Sequence, residues 1–349
     1  MAPPNELGPL VRLWGLRTQQ LPSPTEEADE LAPFLVSILQ EAVPFIDSAA
    51  PKSSSSSSSS STQKLWKPKG TKSHADSTAK VEVSERVIPA AELELVAARN
   101  ASDNNGNKVD AEMWCCRRSV HEDAARKGTA SWDEFDRSFR LHHAASEKAF
   151  TPNVLEAHEA LRWNTLGIEA NEGGETWGDF GLVVEEMRHK VGRPILKDRT
   201  FPVLQMTCAA KNKNEFLVVS IPVPDFGGAE ASRLAKEKGA QIAFYASVER
   251  FRRLGDGSIE WLMATASDAA GVIPVWVQNK AMPGVVWKDV PLFLGWIARE
   301  REKEKGAKGE GAADGAAGNA AASGAPQVST GVNMDKMGEV STGAGAGGE

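Results

Sequence analysis

The chain has 349 residues, room for one large domain or two small ones at about 150 residues each. Apolar residues make up 41% and charged residues 25%, ordinary for a soluble globular protein, which excludes a wholly disordered, collagenous or membrane-embedded chain. The formal net charge of -7 supplies no basic face for a phosphate backbone, so nucleic acid is not an expected partner.

Between Glu26 and Phe45 the apolar positions Leu31, Phe34, Leu35, Ile38 and Val43 recur near helical spacing behind Thr25, and predict an amphipathic helix kinked at Pro33. The run Ser53 to Ser61 and the Lys/Ser/Thr-rich stretch after it bury too little apolar surface to offset their ordering entropy, which makes residues 51–79 a flexible linker after an N-terminal helical extension, 1–50. Alternation then predicts strands over Lys80 to Ile88 and Glu112 to Val120, the second placing Trp114, Cys116 and Arg118 opposite Cys115, Arg117 and Ser119. Ser131 and Glu134 have the form of a capping box, with Trp132, Phe135 and Phe139 on one side of the helix it starts. Val154 to Trp163 reads equally as helix or strand.

Strand patterns follow over Leu182 to Arg188, Thr200 to Cys208, Phe216 to Val223, Ile242 to Phe251 and Ile259 to Ala266, the last two joined by Gly255, Asp256 and Gly257, a hairpin signal. This half is an antiparallel sheet, and no strand–helix alternation suggests a doubly wound parallel one. Beyond Gly271 the period changes, and Met282, Val286, Val290, Phe293 and Ile297 form one helical stripe segmented by Pro283 and Pro291. The Gly/Ala-rich tail, 302–349, lacks large apolar residues and is expected to be disordered, which leaves 80–301 as the folded domain.

Cys115, Cys116 and Cys208 make neither a disulfide framework nor a zinc spacing, and the early prolines and glutamate do not suit a signal peptide; a cytoplasmic setting is expected. The most apolar windows are broken by prolines and charges well short of the roughly 20 residues that span a bilayer. Phosphate loops, dinucleotide fingerprints, H-E-x-x-H and EF-hand motifs are missing from the sequence, and neither cofactor nor metal is expected.

The stretches WCCRRSVHEDAARKGTASWDEF (Trp114 to Phe135) and IEWLMATASDAAGVIPVWVQNKAMPGVVWKDVPLFLGWI (Ile259 to Ile297) resemble the signatures of a fungal START-like domain family of unknown function. The second is also similar to the C-terminal strand and helix of START lipid-transfer domains. The resemblance spans roughly residues 81 to 300. It implies an α+β helix-grip fold, a curved antiparallel sheet wrapped around a long C-terminal helix, with an apolar ligand between them. A sterol or phospholipid is then the expected partner, with binding and transfer by a monomer that visits membranes transiently, and the protein is expected not to be an enzyme.

Candidate ligand contacts follow from that picture. Trp114, Trp261 and Trp276 offer large apolar area with one N–H donor, although tryptophans pack cores more often than they line sites. Met263, Met282, Val286, Val290 and Phe293 are candidates with the same ambiguity. Of the adjacent Arg117 and Arg118 one can face the cavity, and Arg118 is taken as the ligand contact, against the plainer reading of a rim salt bridge. Ser119, His121 and Asp123 carry the residue types of a hydrolytic triad without its nucleophile turn, and His142, His143 and Glu147 those of a metal site, yet structural roles are commoner for both sets. A cavity-based cyclase or hydrolase, using His121, His158, His189 or Glu186, and an interaction protein with a self-filled cavity remain the alternatives. The loop Pro224 to Ala240 and the segment after Gly271 are the expected gates.

Overall fold

The computed structural model describes residues 8–50, 65–99, 109–190, 197–268 and 281–316. Two units divide the chain, Met1–Glu302, which contains the sheet, and Lys303–Glu349, of which residues 303–316 are helical. In chain order come α1 (Ala28–Asp47), β1 (Lys67–Lys72), β2 (Val81–Ile88), α2 (Ala90–Arg99), β3 (Glu112–His121), α3 (Trp132–Phe135), a π-helical turn over Asp136–Leu141, and α4 (His143–Phe150). Then follow β4 (Val154–Arg162), β5 (Ala170–Glu172), β6 (Glu175–His189), β7 (Arg199–Ala210), β8 (Glu215–Pro222), β9 (Gln241–Ile242), β10 (Phe244–Arg253), β11 (Ile259–Asp268) and α5 (Asp289–Ala316).

The strands join in one sheet in the order β1-β2-β3-β11-β10-β8-β7-β6-β4, with β5 against β6 and β9 against β7. Among the described strand pairs only β7–β9 is parallel, and the one isolated bridge, Asp123 to Ala130, is parallel too. The long meander β6-β7-β8 and the hairpin β10–β11 supply its centre, and the last helix lies on one face; this is an α+β helix-grip fold. The ambiguous segment from Val154 is a strand, paired in register with β6 through two bulges.

Strand alternation divides the core in two. On one face Trp114, Cys116, Leu262, Val248, Leu217, Val219, Leu204 and Leu182 pack against Leu31, Leu35, Ile38, Leu39, Val43 and Ile46 of α1. On the other face Phe216, Val218, Phe251, Ile259 and Trp261 meet Val290, Phe293, Leu294 and Ile297 of α5 and Phe135 and Phe139 after the capping box. Each fully buried side chain of that size contributes about 1.5–3 kcal/mol. The stripe predicted for the C-terminal helix is therefore buried from Val290 onward, while Met282 and Val286 sit in two short 3-10 turns before it, Met282–Gly284 and Val286–Lys288. Pro291 is tolerated because it falls in the first turn of α5, where amides lack helical partners.

Residues 1–50 are thus no appended extension, since their described part closes one whole face of the sheet. The chain before α1 is threaded as tightly: Leu16 N–H donates to Pro222 O at 2.9 Å, and Gly15 has φ +65 where a Cβ would stand 2.0 Å from that same oxygen. The linker expectation also needs correction. Residues 65–79 are part of the fold, with Trp66 buried and donating to Ser48 Oγ at 2.9 Å, and β1 pairs along β2. All six β1 residues are exposed, so no alternation marked this lysine-rich edge strand. Residues 51–64 and the tail after 316 lie outside the described residues.

The capping box forms as expected, Ser131 Oγ accepting from Glu134 N–H and Glu134 accepting from Ser131 N–H. Its carboxylate is then shared with α5, because Arg301 donates to both Glu134 oxygens at 2.6 and 2.5 Å. The loop Pro224 to Ala240, expected as a gate over the cavity, is pinned elsewhere. Glu186 accepts from the Ser232 hydroxyl and from the amides of Arg233, Leu234 and Ala235, and Phe226 is buried in the core on the α1 side. The other expected gate, after Gly271, lies outside the described residues up to 280.

Candidate functional site

The sheet face under α5 changes character along its strands. At one end it is solid aromatic packing: Phe216 and Phe251 stack with centroids 4.4 Å apart, Phe251 and Trp261 at 5.4 Å, and Phe293 closes on Phe139 at 4.8 Å. Two residues further along the strands stand Val218, Glu249, Met263 and Arg117, side by side across four strands. Two further again, Gln205, Ser220, Ser247 and Thr265 form a polar row over β7, β8, β10 and β11. All four are buried. A buried hydrogen-bonding row in the centre of a sheet is costly unless partners reach it.

Groups from above complete this floor. The α4 helix brings His143, whose Nδ1 meets Gln205 Nε2 at 3.0 Å, and one turn later Glu147, 3.8 Å from the same imidazole. Burial depresses His143 to about 4 and pushes Glu147 up to about 8, the latter helped by the charges of Asp289, Glu249 and Glu185, so at neutral pH this pair is two neutral groups and no salt bridge. Glu185 on β6 is raised to about 7 by burial and by Glu159. Arg117 Nη2 donates to Glu249 at 3.0 Å, its Nε stands 3.5 Å from Asp289, and Trp261 Nε1 donates to Glu249 at 2.6 Å. Burial raises Glu249 and Asp289 as well, with Arg117 opposing.

Glu147 and Asp289 keep 25% and 34% of their side chains accessible, yet protein around them desolvates both. A recess of about 440 Å³ lies between α4 and strands β4, β6 and β7, lined among others by Arg140, His143, Lys148, His158, Glu185 and Gln205, and neither Glu147 nor Asp289 is part of its lining. Among the described residues no three His, Cys, Asp or Glu side chains gather as metal ligands.

The residues singled out from sequence divide across the two faces. Trp261, Met263, Met282, Val286, Val290 and Phe293 lie between the sheet and the C-terminal segment, and Trp276 lies outside the described residues. Trp261, Val290 and Phe293 are fully buried in packed core, while Met263 and Met282 stay partly accessible, with the Ser267 hydroxyl 3.4 Å from Met282 Sδ. Trp114 and Arg118 are corrected by the strand phase: both point to the α1 face. Trp114 packs on Phe45 at 4.6 Å, and Arg118 makes rim pairs with Glu260 at 2.7 Å and Glu82 at 3.2 Å. The inward arginine is Arg117.

His121 is buried and 2.8 Å from Ser119 Oγ, with burial depressing it to about 3, while Asp123 accepts instead from Trp132 N–H, so no triad assembles. Sequence reasoning weighed Glu147 only as a metal-type ligand or a solvated partner of His143, and it missed Glu185, Glu249, Asp289 and Tyr245. One signal was available: Glu185 and Glu249 interrupt strongly apolar strands, where a charge has to be either exposed or engaged.

Residues 114–297, more than half of the chain, match the family described as a protein of unknown function, DUF3074. The chain belongs to this family. The DUF3074 match starts on β3 and ends in α5, so it takes in Arg117, α4 and the polar floor, and omits α1. No curated protein matches the chain. Similar solved structures include human STARD10 (TM-score 0.46, 13% identity, 76% of this chain and 82% of that one). Others are the lipid transfer and protein localization domain of human StarD13 (DLC2) (0.40, 14%, 66% and 88%) and human StAR-related lipid transfer protein 5 (0.45, 9%, 79% and 99%). No helix among the described residues is long and apolar enough to cross a membrane.

Proposed function

We propose that this protein binds, and carries, an amphipathic hydrophobic ligand such as a sterol or phospholipid between the sheet and its C-terminal segment, without transforming it. The observation that carries this reading is the polar floor: Gln205, Ser220, Ser247 and Thr265, overhung by Glu147 and Asp289, which are reachable yet desolvated. Partly accessible Met263 and Met282 adjoin it as an apolar border. Apolar burial at about 25 cal/mol per Å² would supply most of the affinity and the floor would fix orientation. A monomer in the cytoplasm, meeting membranes transiently, is the setting this proposal assumes. The test is organic extraction of the purified full chain followed by mass spectrometry, with uptake of fluorescent sterol and phospholipid; an empty extract and no uptake would refute it.

A catalytic reading draws support from Glu147, whose carboxyl is pushed up to about 8, and Glu185, raised to about 7, near a histidine depressed to about 4, the condition general acids need. Of the four residues sequence reasoning named for it, His158 lines the recess, His121 and Glu186 are engaged elsewhere, and His189 packs on Phe201 at 5.0 Å. Incubating extracted lipid with fresh protein separates the two readings, because a carrier returns it at unchanged mass.

A further inference from the structure

The N-terminus of α4 is left uncapped. His142 at its N-cap makes no side-chain cap, and no acid lies in the first turn. The opening amides of a helix have no partner within it and stand at the positive end of its dipole, which suits an anion. Here that turn borders the recess of about 440 Å³, for His142, His143, Ala144 and Ala145 all line it. The two alanines have only a methyl each to cover the backbone.

The side chains around that turn are mostly cations. Arg140, Lys148 and Arg162 line the recess together with three histidines, against two acids, Glu159 and Glu185. Arg140 is held by Asp136 at 2.5 and 2.8 Å and Arg162 by Glu159 at 2.7 and 2.5 Å, in both cases through Nε and Nη2, so Nη1 is left over. Lys148 makes no ion pair among the described residues. Glu185 gives a second, independent sign. It is 5% exposed and lines the recess, and its Oε2 is buried with no hydrogen-bond partner. An unmatched buried carboxyl oxygen costs free energy until a ligand matches it. Burial raises this carboxyl to about 7, so near neutral pH a proton is available on it to donate to an oxyanion.

We propose that the recess binds a phosphate group, its oxygens set against the first-turn amides of α4, the Lys148 ammonium and the Glu185 carboxyl. Donors on a helix end, at the rim and on the sheet ask for three oxygens on one tetrahedral centre, one more than a planar carboxylate offers. Gln205 belongs to the recess lining and to the polar floor, which makes the two continuous. A lipid head and a free phosphate share this chemistry, and the lipid source rests on the binding reading above.

Titration calorimetry of the full chain at about pH 7 and low salt tests this, with inorganic phosphate, dihexanoyl phosphatidic acid and dihexanoylglycerol, the two lipids below their micelle concentrations. Lys148→Glu and Ala145→Glu are each expected to weaken the phosphate-bearing probes about tenfold and to leave dihexanoylglycerol unchanged. Ala145→Glu places an acid where it favours the helix, so thermal melts should show no loss of stability. Glu185→Gln keeps an N–H donor without the charge and is expected to hold phosphate at least as tightly. Binding of phosphatidic acid but not of inorganic phosphate, sensitive to both variants, assigns the site to a lipid head. Inorganic phosphate bound with neither lipid keeps the phosphate site and counts against the binding reading. No affinity for either phosphate probe, or an affinity that neither Lys148→Glu nor Ala145→Glu moves, overturns the phosphate site, and dihexanoylglycerol then still decides the binding reading.

Discussion

The guanidinium carbon of Arg117 stands 4.1 Å from the ring centre of Trp261, so that one cation is stacked on the aromatic core and ion-paired at its edge. Arg117 is 1% exposed, and Glu249 is buried with it. Removing one member of such a pair strands the other charge in protein, whereas removing both does not. Arg117→Ala is expected to cost about 3–5 kcal/mol, and Arg117→Met with Glu249→Gln clearly less. Urea unfolding of the two variants decides this, and a double variant that loses more than Arg117→Ala would show that no stranded charge dominates the single loss.

Raised carboxyls set the alkaline side of the stability profile. The folded state holds the Glu147 proton to about pH 8 and the Glu185 proton to about 7, while both unfold to ordinary carboxyls near 4.5. Between those values the folded state binds more protons, so stability is greatest below the unfolded value and falls as pH rises through the folded one. Glu147→Gln should therefore leave stability unchanged at about pH 4 and raise it by about 2 kcal/mol above pH 8. Thermal melts across that range measure it; a stabilisation independent of pH would contradict the assignment.

Histidines act in the opposite sense. Burial depresses His121 to about 3 and His143 and His189 to about 4, from an unfolded value near 6.5. Their contribution is present above 6.5 and is lost as pH falls through the folded values, because the unfolded chain takes up the protons first. With the two acids this places maximal stability between about pH 5 and 6.5, a dome that His121→Gln should broaden on its acid side. Denaturant midpoints at a series of pH values would show it.

On the other face, Arg250 fixes α1. It is buried, ion-paired to Asp47 at the end of that helix, and donates to Ala50 O at 2.8 Å, with Glu260 at 3.4 Å on the same guanidinium. Arg250→Ala is expected to loosen Ala42 to Ala50 before the sheet. Hydrogen exchange should show lost protection at the end of α1 with β10 unchanged, and uniform loss over both would mean that the helix and sheet open as one.

Phe293 is in contact with five aromatic rings, from Phe139 at 4.8 Å to Trp296 at 6.0 Å, with Phe135, Phe150 and Trp261 between. It is part of the packed end of the face and distant in character from the polar floor. Phe293→Ala should cost about 3–5 kcal/mol in chemical denaturation. Were it a ligand contact alone, it would cost little in the empty protein.

Periodicity made the strands legible, because a half-buried strand has to alternate and the hairpin through Gly255 to Gly257 needs its turn residues; β10 and β11 pair in the register that turn implies, Arg253 against Ile259. The capping box at Ser131 and the apolar stripe of the last helix are likewise local, written in residues a few positions apart. Alternation fixes that Arg117 and Arg118 oppose each other, but not which of them faces α5. That was decided by packing, since α1, distant in sequence, takes the face that bears Trp114 and leaves the other to Trp261. The edge strand β1 needed its partner to exist at all, for its exposed lysines carry no period. Glu185 and Glu249 stood out as charges within apolar strands, but the environment of these acids was not legible: whether a carboxyl's pKa is ordinary or raised depends on what the fold places around it, and Glu147, Glu249 and Asp289 come from elements far apart in the chain.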